Sequence, residues 1–205
     1  MTDKKLDLLR EALPYIQKFK GKTFVIKFSG SGIDGNIVHA VRRPPREVLN
    51  RQTGEREEID FGHVGDVLEI NVRLLDVLLE QNYLPVISSL GADDDGQIYN
   101  INADTIAAEI AVSLQAEKLV LLSDVAGIYL EPDKPKTKIS RISIAQAEGL
   151  ISSGTAFGGM IPKLQNITDL LKRGVKSAHI INGTTRNALL SEVFTDSGTG
   201  TMIVN

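Results

Sequence analysis

Apolar residues in this chain fall into short runs separated by polar turns, and their spacing assigns an element to most runs. Leu6, Leu9, Leu13 and Ile16 recur at intervals of three or four, which predicts a helix over 4–19. Thr2 or Asp3 suits its cap, Pro14 bends it, and Gly21 ends it. Thr23-Phe-Val-Ile-Lys-Phe28 is a β-branched and aromatic run that reads as a buried strand. A glycine-rich turn, Ser29-Gly-Ser-Gly-Ile-Asp-Gly35, follows. Ile37-Val-His-Ala-Val41 is extended up to Pro44-Pro45, and Arg46 to Asp60 is a charged loop or hairpin.

From Asn71 onward helical and extended patterns alternate. Val72 to Gln81 carries Val72, Leu75, Leu78 and Leu79 on one face, as a helix does. Leu84-Pro-Val-Ile-Ser-Ser89 reads as a strand, Asp93-Asp-Asp-Gly96 as a turn, and Ala103 to Leu114 as a buried helix. Leu119-Val-Leu-Leu122 is apolar on both faces, as interior parallel strands are. Helices are predicted over Ile144–Ser152, Lys163–Lys172 and Asn187–Val193, and strands over Ala178–Ile181 and Thr201–Val204. This alternation implies an α/β sandwich with a mainly parallel sheet, whose ligands sit at the carboxyl ends of the strands.

Composition narrows the chemistry. The 205 residues contain no cysteine, which excludes disulfides, thiolate zinc sites and thiol nucleophiles. A formal charge of -3 does not suit a nucleic-acid binder that relies on its mean charge. The longest charge-free run, Gly149 to Pro162, is too short for a membrane span, and Asp3, Asp7 and Glu11 rule the first residues out as a signal peptide. The expectation is a soluble, cytoplasmic protein with no nucleic-acid or membrane partner. His39, His63 and His179 have no metal-ligand spacing, and no residue is singled out as a metal ligand.

Four motifs are candidates for chemistry, and each has an ordinary alternative. Gly30-Ser-Gly32-Ile-Asp-Gly35 fits G-x-G-x-x-G, but no helix follows it, so a plain turn is favoured over a dinucleotide site. Ser123-Asp-Val-Ala-Gly127 closes a strand, where backbone amides reach a phosphate or where a simple turn suffices. In Asn100-Ile-Asn-Ala-Asp104, Asn102 or Asp104 is either a helix cap or a placed polar group. In Gly158-Gly-Met-Ile-Pro-Lys163 the lysine meets the positive end of its helix, which suits a partner anion, with a solvated surface lysine the equal alternative. Lys27 sits in an apolar strand, where an unpaired charge is costly unless it lies at the exposed end. Lys27 and Lys163 together suit an anionic transition state, with Asp104 between them.

These pieces resemble the amino-acid kinase family, in its acetylglutamate kinase branch. The matching stretches, in order, are Gly21-Lys-Thr-Phe-Val-Ile-Lys-Phe-Ser-Gly30, Ser31-Gly-Ile-Asp-Gly35, Tyr83-Leu-Pro-Val-Ile-Ser-Ser-Leu-Gly91, Tyr99-Asn-Ile-Asn-Ala-Asp104, Leu121-Leu-Ser-Asp-Val-Ala-Gly127, Gly158-Gly-Met-Ile-Pro-Lys163 and Phe194-Thr-Asp-Ser-Gly-Thr-Gly-Thr-Met202. The resemblance implies a single three-layer αβα domain over 1–205 with a mainly parallel open sheet and an N-terminal helical extension over 1–20. It implies transfer of the ATP γ-phosphoryl group, with Mg2+, to the side-chain carboxylate of N-acetyl-L-glutamate in arginine biosynthesis. Lys27 and Lys163 would stabilise the migrating group and Asp104 would organise them. Gly30 and Asn100 would hold the acetylglutamate. Asp124, Val125, Ala126, Gly127, Ile128, Tyr129, Thr155, Ala156 and Phe157 would hold the nucleotide. The extension and the Glu192-Val-Phe-Thr-Asp-Ser-Gly198 ending further imply inhibition by L-arginine beside Tyr15, His179, Glu192 and Gly198. They also imply a homo-oligomer, a dimer or a hexamer joined through the 4–19 helix.

One departure stands out. Between Gly30 and Ser31 the family carries a strand ending in His-Gly-Gly-Gly, a substrate arginine and dimer-contact helices, and none of these is present. Either the numbering runs across an omitted stretch or the polypeptide is shorter. A true deletion would bare parallel-sheet surface, so omission is favoured, and a bonded pair of about 3.8 Å between Cα atoms would decide. A shortened chain is expected to aggregate or to bind nucleotide without turnover. The alternatives are a related carboxylate or carbamate kinase of the same fold, and a non-catalytic nucleotide- or amino-acid-binding module.

Overall fold

The computed structural model describes residues 12–27, 37–49, 54–131, 134, 137–156, 160–195 and 198–205. The Gly30–Ser31 junction, the G-x-G-x-x-G turn, Phe157 and the first half of the expected 4–19 helix lie outside these. In chain order the elements are helical residues 12–18 (α1), β1 (Phe24–Lys27), β2 (Val38–Arg42), β3 (Arg46–Leu49), β4 (Arg56–Ile59), β5 (Gly65–Ile70), α2 (Val72–Glu80), β6 (Leu90–Ala92), β7 (Ile98–Asn100) and α3 (Ala103–Ser113). They continue with β8 (Lys118–Ser123), β9 (Ile128–Tyr129), β10 (Lys138–Ile139), β11 (Arg141–Ser143), α4 (Ile144–Ser152), α5 (Met160–Lys172), β12 (Ser177–Asn182), α6 (Ala188–Phe194) and β13 (Thr201–Val204). The chain divides into two compact units, Met1–Ser29 with Ile110–Asn205, and Gly30–Glu109.

The first unit is built on a sheet in the order β1-β8-β12-β13-β11. β1, β8 and β12 run parallel, β12 and β13 antiparallel, and β13 and β11 parallel. Leu119, Val120 and Leu121 of β8 and every residue from Ser177 to Ile181 of β12 are buried, so both faces of the sheet centre are covered. On one face Val120, Leu122 and Ile181 pack against Ala188 and Leu189 of α6. α4 and α5 pack on each other, and α5 buries Leu164, Ile167, Leu170 and Leu171 along one side. Each such side chain contributes roughly 1.5–3 kcal/mol of burial. α4 opens on a capping box in which Ser143 and Gln146 satisfy each other's backbone amides at 3.2 and 2.8 Å.

The second unit carries a sheet in the order β5-β2-β6-β7. Its β2–β5 and β6–β7 pairings are antiparallel; a short turn joins β6 to β7, whereas the chain runs out through β3 and β4 before β5 returns beside β2. Gly91 of β6 leaves no room for a side chain, since a Cβ there would stand 2.8 Å from that of Ala40. Asn71 caps α2 by accepting from the Leu74 amide at 3.1 Å, and Leu75 alone of that helix is buried. β3 and β4 pair antiparallel in the charged stretch, and every residue of both strands is exposed.

The α/β class holds, and the mainly parallel sheet describes the first unit but not the second. Of the expected strand Thr23–Phe28, Phe24–Lys27 form β1, which is only half-buried at the edge of its sheet, and Phe28 lies outside the described residues. The run Leu84–Ser89 is not a strand: residues 83–88 take no regular form, with Leu84 87% and Val86 68% exposed. β-Branched composition makes a strand only beside a neighbour to pair with, and of this run only the Ser89 carbonyl meets one, the Ile101 amide at 2.9 Å, among the described bonds. α5 begins at Met160, three residues ahead of Lys163.

Candidate active site

Lys27 is the last residue of β1 and lies in register with Leu121 of β8. Partners across a parallel ladder point to one face and alternate residues share it, so Lys27, Leu121 and Ser123 face the same way at the carboxyl end of the sheet. Lys163 reaches this end from the first turn of α5 and donates from Nζ to Ser123 Oγ at 3.0 Å. Ser123 Oγ in turn donates to Asp124 Oδ1 at 3.0 Å, and Asn182 Nδ2 donates to the Asp124 carbonyl at 3.3 Å. The Asp124 carboxyl is held below the usual range, first by the Ser123 hydroxyl and further by backbone amides and the Lys163 charge. Two cations thus stand at the ends of strands, as an anionic ligand requires.

The segment after β8 is tied down from below. Gly127 has φ +135°, and a side chain there would meet Thr201 Oγ1. That hydroxyl accepts from the Ile128 amide at 2.8 Å and donates to the Ile139 carbonyl at 2.5 Å, so one buried threonine fixes both the 124–129 segment and β10. Asp124, Val125 and Tyr129 retain exposure, while Gly127 and Ile128 are buried. Ala156 donates its amide to Leu150 O at 2.9 Å, and the Thr155 hydroxyl pairs with that of Ser153 at 2.9 Å.

Asn100 and Asp104 belong to the second unit. Asn100 ends β7, exposed, with its amide on the His63 carbonyl at 2.8 Å. Asn102 Oδ1 accepts from the Asp104 and Thr105 amides at 2.9 and 3.1 Å, so Asn102 is the cap of α3. Asp104 stands in its first turn, where the helix dipole favours a carboxylate.

A separate buried cluster gathers three of the four residues expected to hold arginine. His179 Nδ1 and Glu192 Oε1 lie 2.7 Å apart, and Glu192 Oε2 accepts from the amides of Thr199 at 2.6 Å and Gly200 at 2.8 Å. Burial alone would raise the Glu192 carboxyl, but these donors outweigh it and lower it to about 2. At Gly198 a side chain would press on Glu192 Oε2 at 2.8 Å. Lys118 Nζ completes the cluster, 3.2 Å from His179 Nε2 and 5.0 Å from the centre of the Phe19 ring. Tyr15 stacks on the same ring at 6.2 Å. Burial lowers both Lys118 and His179. Sequence reasoning passed over Lys118, and it singled out the motif that Ser123 opens for its backbone amides alone, not for the hydroxyl. Lys118, a lysine opening an apolar strand, offered the same signal as Lys27, whereas a serine closing a strand offered none.

A cavity of about 770 Å³ lies elsewhere, lined by Lys22, Thr23, Glu117, Arg173 and Lys176 at the amino ends of β1, β8 and β12. Parallel sheets bind their substrates at the opposite end, so it is no rival to the lysines. Among the described residues no group of three histidine or acidic side chains is gathered for a metal ion, and no helix is long and apolar enough to cross a membrane.

The model of the amino acid kinase family matches residues 44–182. An acetylglutamate kinase from Methanothermobacter thermautotrophicus is 45% identical over 173 residues, covering 84% of this chain and 59% of the relative. One from Thermosynechococcus vestitus is 37% identical over 274 aligned positions, covering 96% and 93%. That alignment exceeds the 205 residues of this chain by 69, so at least 69 positions of it face a gap here. The chain spans about three fifths of the length of the curated relatives it matches first. Among solved structures, an N-acetylglutamate synthase from Neisseria gonorrhoeae complexed with coenzyme A and L-arginine matches with a TM-score of 0.69 at 27% identity, over 87% of this chain and 38% of that one. A Giardia carbamate kinase shares the fold with a TM-score of 0.55 at 19% identity, over 81% of this chain and 62% of its own.

Proposed function

Because the chain belongs to the amino acid kinase family, we propose that it is an acetylglutamate kinase that moves the γ-phosphoryl group of ATP to the side-chain carboxylate of N-acetyl-L-glutamate. The observation that carries this reading is the placement of Lys27 and Lys163 on one end of one sheet, with Lys163 anchored on Ser123. A carboxylate oxygen of the substrate bonds to the γ-phosphorus while the bond to the β,γ-bridging oxygen breaks, leaving an acyl phosphate and ADP. The nucleophile is already an anion, so no base is needed, and the barrier is set by positioning and charge. Two ammonium groups at the phosphoryl oxygens supply both, and their contact strengthens as charge spreads over those oxygens.

Asp124 to Tyr129, with Thr155, Ala156 and Phe157, are the residues to receive the nucleotide. Magnesium binds through few carboxylates and several phosphate oxygens. An ion held in this way would arrive on the nucleotide and neutralise phosphate charge. Gly30, Asn100 and Asp104 keep the roles the family resemblance gives them: the first two on the acetylglutamate, the acid on the lysines. The test is an ATP-dependent hydroxamate assay with acetylglutamate, carbamate and aminoadipate offered separately. Hydroxamate from acetylglutamate alone is the expected result. A product from another acceptor identifies a sister kinase, and nucleotide binding without product identifies a binding module.

A second reading concerns regulation. L-Arginine is proposed as an inhibitor bound beside Tyr15, His179, Glu192 and Gly198, because a buried carboxylate and a ring stack suit a guanidinium and its alkyl stem. A homo-oligomer joined through α1 accords with Leu13 and Ile16, 53% and 50% exposed on that helix. Activity titrated with arginine, in the whole chain and in one lacking residues 1–20, tests both. Unchanged sensitivity in the shortened chain counts against the helix.

A further inference from the structure

We propose that Ser123 is a positioning residue for phosphoryl transfer, a hydroxyl that fixes where the Lys163 ammonium stands by bridging it to Asp124. This rests on the kinase reading above. Lys163 Nζ lies 3.0 Å from Ser123 Oγ, which lies 3.0 Å from Asp124 Oδ1.

The direction of this chain is fixed by its ends. An ammonium has only protons to give and an ionised carboxylate only lone pairs to receive with. The serine hydroxyl therefore accepts from Lys163 and donates to Asp124, and each bond polarises the other. Only a β-hydroxyl, that of serine or threonine, supplies both functions at so short a reach from the strand.

The consequence is geometric. A lysine side chain has four rotatable carbons and, in water, many positions for its charge. Tethering one N–H to the end of β8 leaves two protons free for an anion. Ser123 shares a face with Leu121, the register partner of Lys27, so the tether holds the Lys163 charge at the strand end next to Lys27. A direct Lys163–Asp124 ion pair would instead neutralise the ammonium and draw it away from a phosphate. The interposed hydroxyl keeps the lysine cationic and placed, and keeps the carboxylate oriented beside the segment assigned to the nucleotide.

Three variants test this: Ser123→Ala, Ser123→Thr and the double variant Ser123→Ala with Lys163→Ala. Ser123→Ala is expected to lower kcat by up to about a hundredfold, the scale of a misplaced catalytic group, with a much smaller change in the KM for acetylglutamate. Ser123→Thr, which keeps the hydroxyl, is expected to restore most of the rate. In the Lys163→Ala background Ser123→Ala is expected to cost little more, because the group it places is gone. Full activity of Ser123→Ala, or losses that multiply in the double variant, would overturn the proposal. A readout independent of turnover is the titration of the Asp124 carboxyl carbon by NMR. Its midpoint is expected to rise in Ser123→Ala and to stay low in Ser123→Thr, and an unmoved midpoint in Ser123→Ala refutes the bridge. If the unaltered chain makes no acyl phosphate, the kinase reading fails while this titration still judges the bridge.

Discussion

His179 and Glu192 face each other across 2.7 Å, with 3% and 6% of their side chains exposed. The Lys118 ammonium donates a hydrogen bond to His179 Nε2 and Glu192 has only lone pairs to offer, which assigns the ring proton to Nδ1. The pair links β12 to α6, and the second carboxylate oxygen of Glu192 holds the turn that enters β13.

Acid is expected to loosen this linkage. Burial and the Lys118 charge lower the histidine below its usual 6.5, so the unfolded chain takes up a proton that the folded one refuses, and stability falls as pH drops through 6.5. Glu192 is lowered from 4.5 to about 2, so its contribution is whole above 4.5 and drains away toward about 2. Both act in the same direction. Urea midpoints measured across this range should decline with acid, and Glu192→Gln should flatten the part below 4.5 while lowering the midpoint at neutral pH. A wild-type profile that is level from neutral pH to about 3 contradicts the assignment.

Lys163→Ala is expected to reduce kcat by roughly 10²–10³-fold while ATP affinity changes little, as for a group whose contact matters most in the transition state. Calorimetric titration with ATP alongside the hydroxamate assay separates the two quantities. Equal losses in binding and rate would point to ground-state recognition.

Thr201→Val keeps shape but strands the Ile128 amide and the Ile139 carbonyl, both now served by one hydroxyl. The expected cost is about 1–3 kcal/mol for each buried group left unsatisfied, read from urea unfolding. Because the same hydroxyl fixes the 124–129 segment, ATP affinity should weaken as well. A destabilised protein with unaltered affinity would separate that segment from the nucleotide.

Ser143→Ala breaks the capping box of α4 and should cost about 1 kcal/mol, with Ser143→Asp recovering much of it through the same acceptor role. Thermal midpoints of the two variants give the answer directly.

The regular elements were legible where a short segment states its own surroundings. The helix expected near Ile144–Ser152 forms over those residues because the signals for it are local: Ser143 just ahead of it and Gln146 in its first turn make a capping box. The strand Leu119–Leu122 was legible because being apolar on both sides suits only a sheet centre. Leu84–Ser89 misled for the complementary reason: its β-branched residues state a preference, and the pairing that would satisfy it lies elsewhere in a chain. Of the site, Lys27 and Lys163 were visible as charges in places where charges are costly. The Ser123 hydroxyl was not, because a hydroxyl costs little at the end of a strand, and its meaning comes entirely from the ammonium that reaches it.

Sequence alone thus determined the α/β alternation, the two lysines and the family, since spacing, local charge cost and ordered motifs are properties of neighbouring residues. Tertiary structure decided which strands found partners, which lysine is tethered and by what, and that Lys118, His179 and Glu192 share one buried cluster. Those are contacts between residues far apart in the chain. Their strength depends on distance and on the exclusion of water, and neither exists until the sheet has formed.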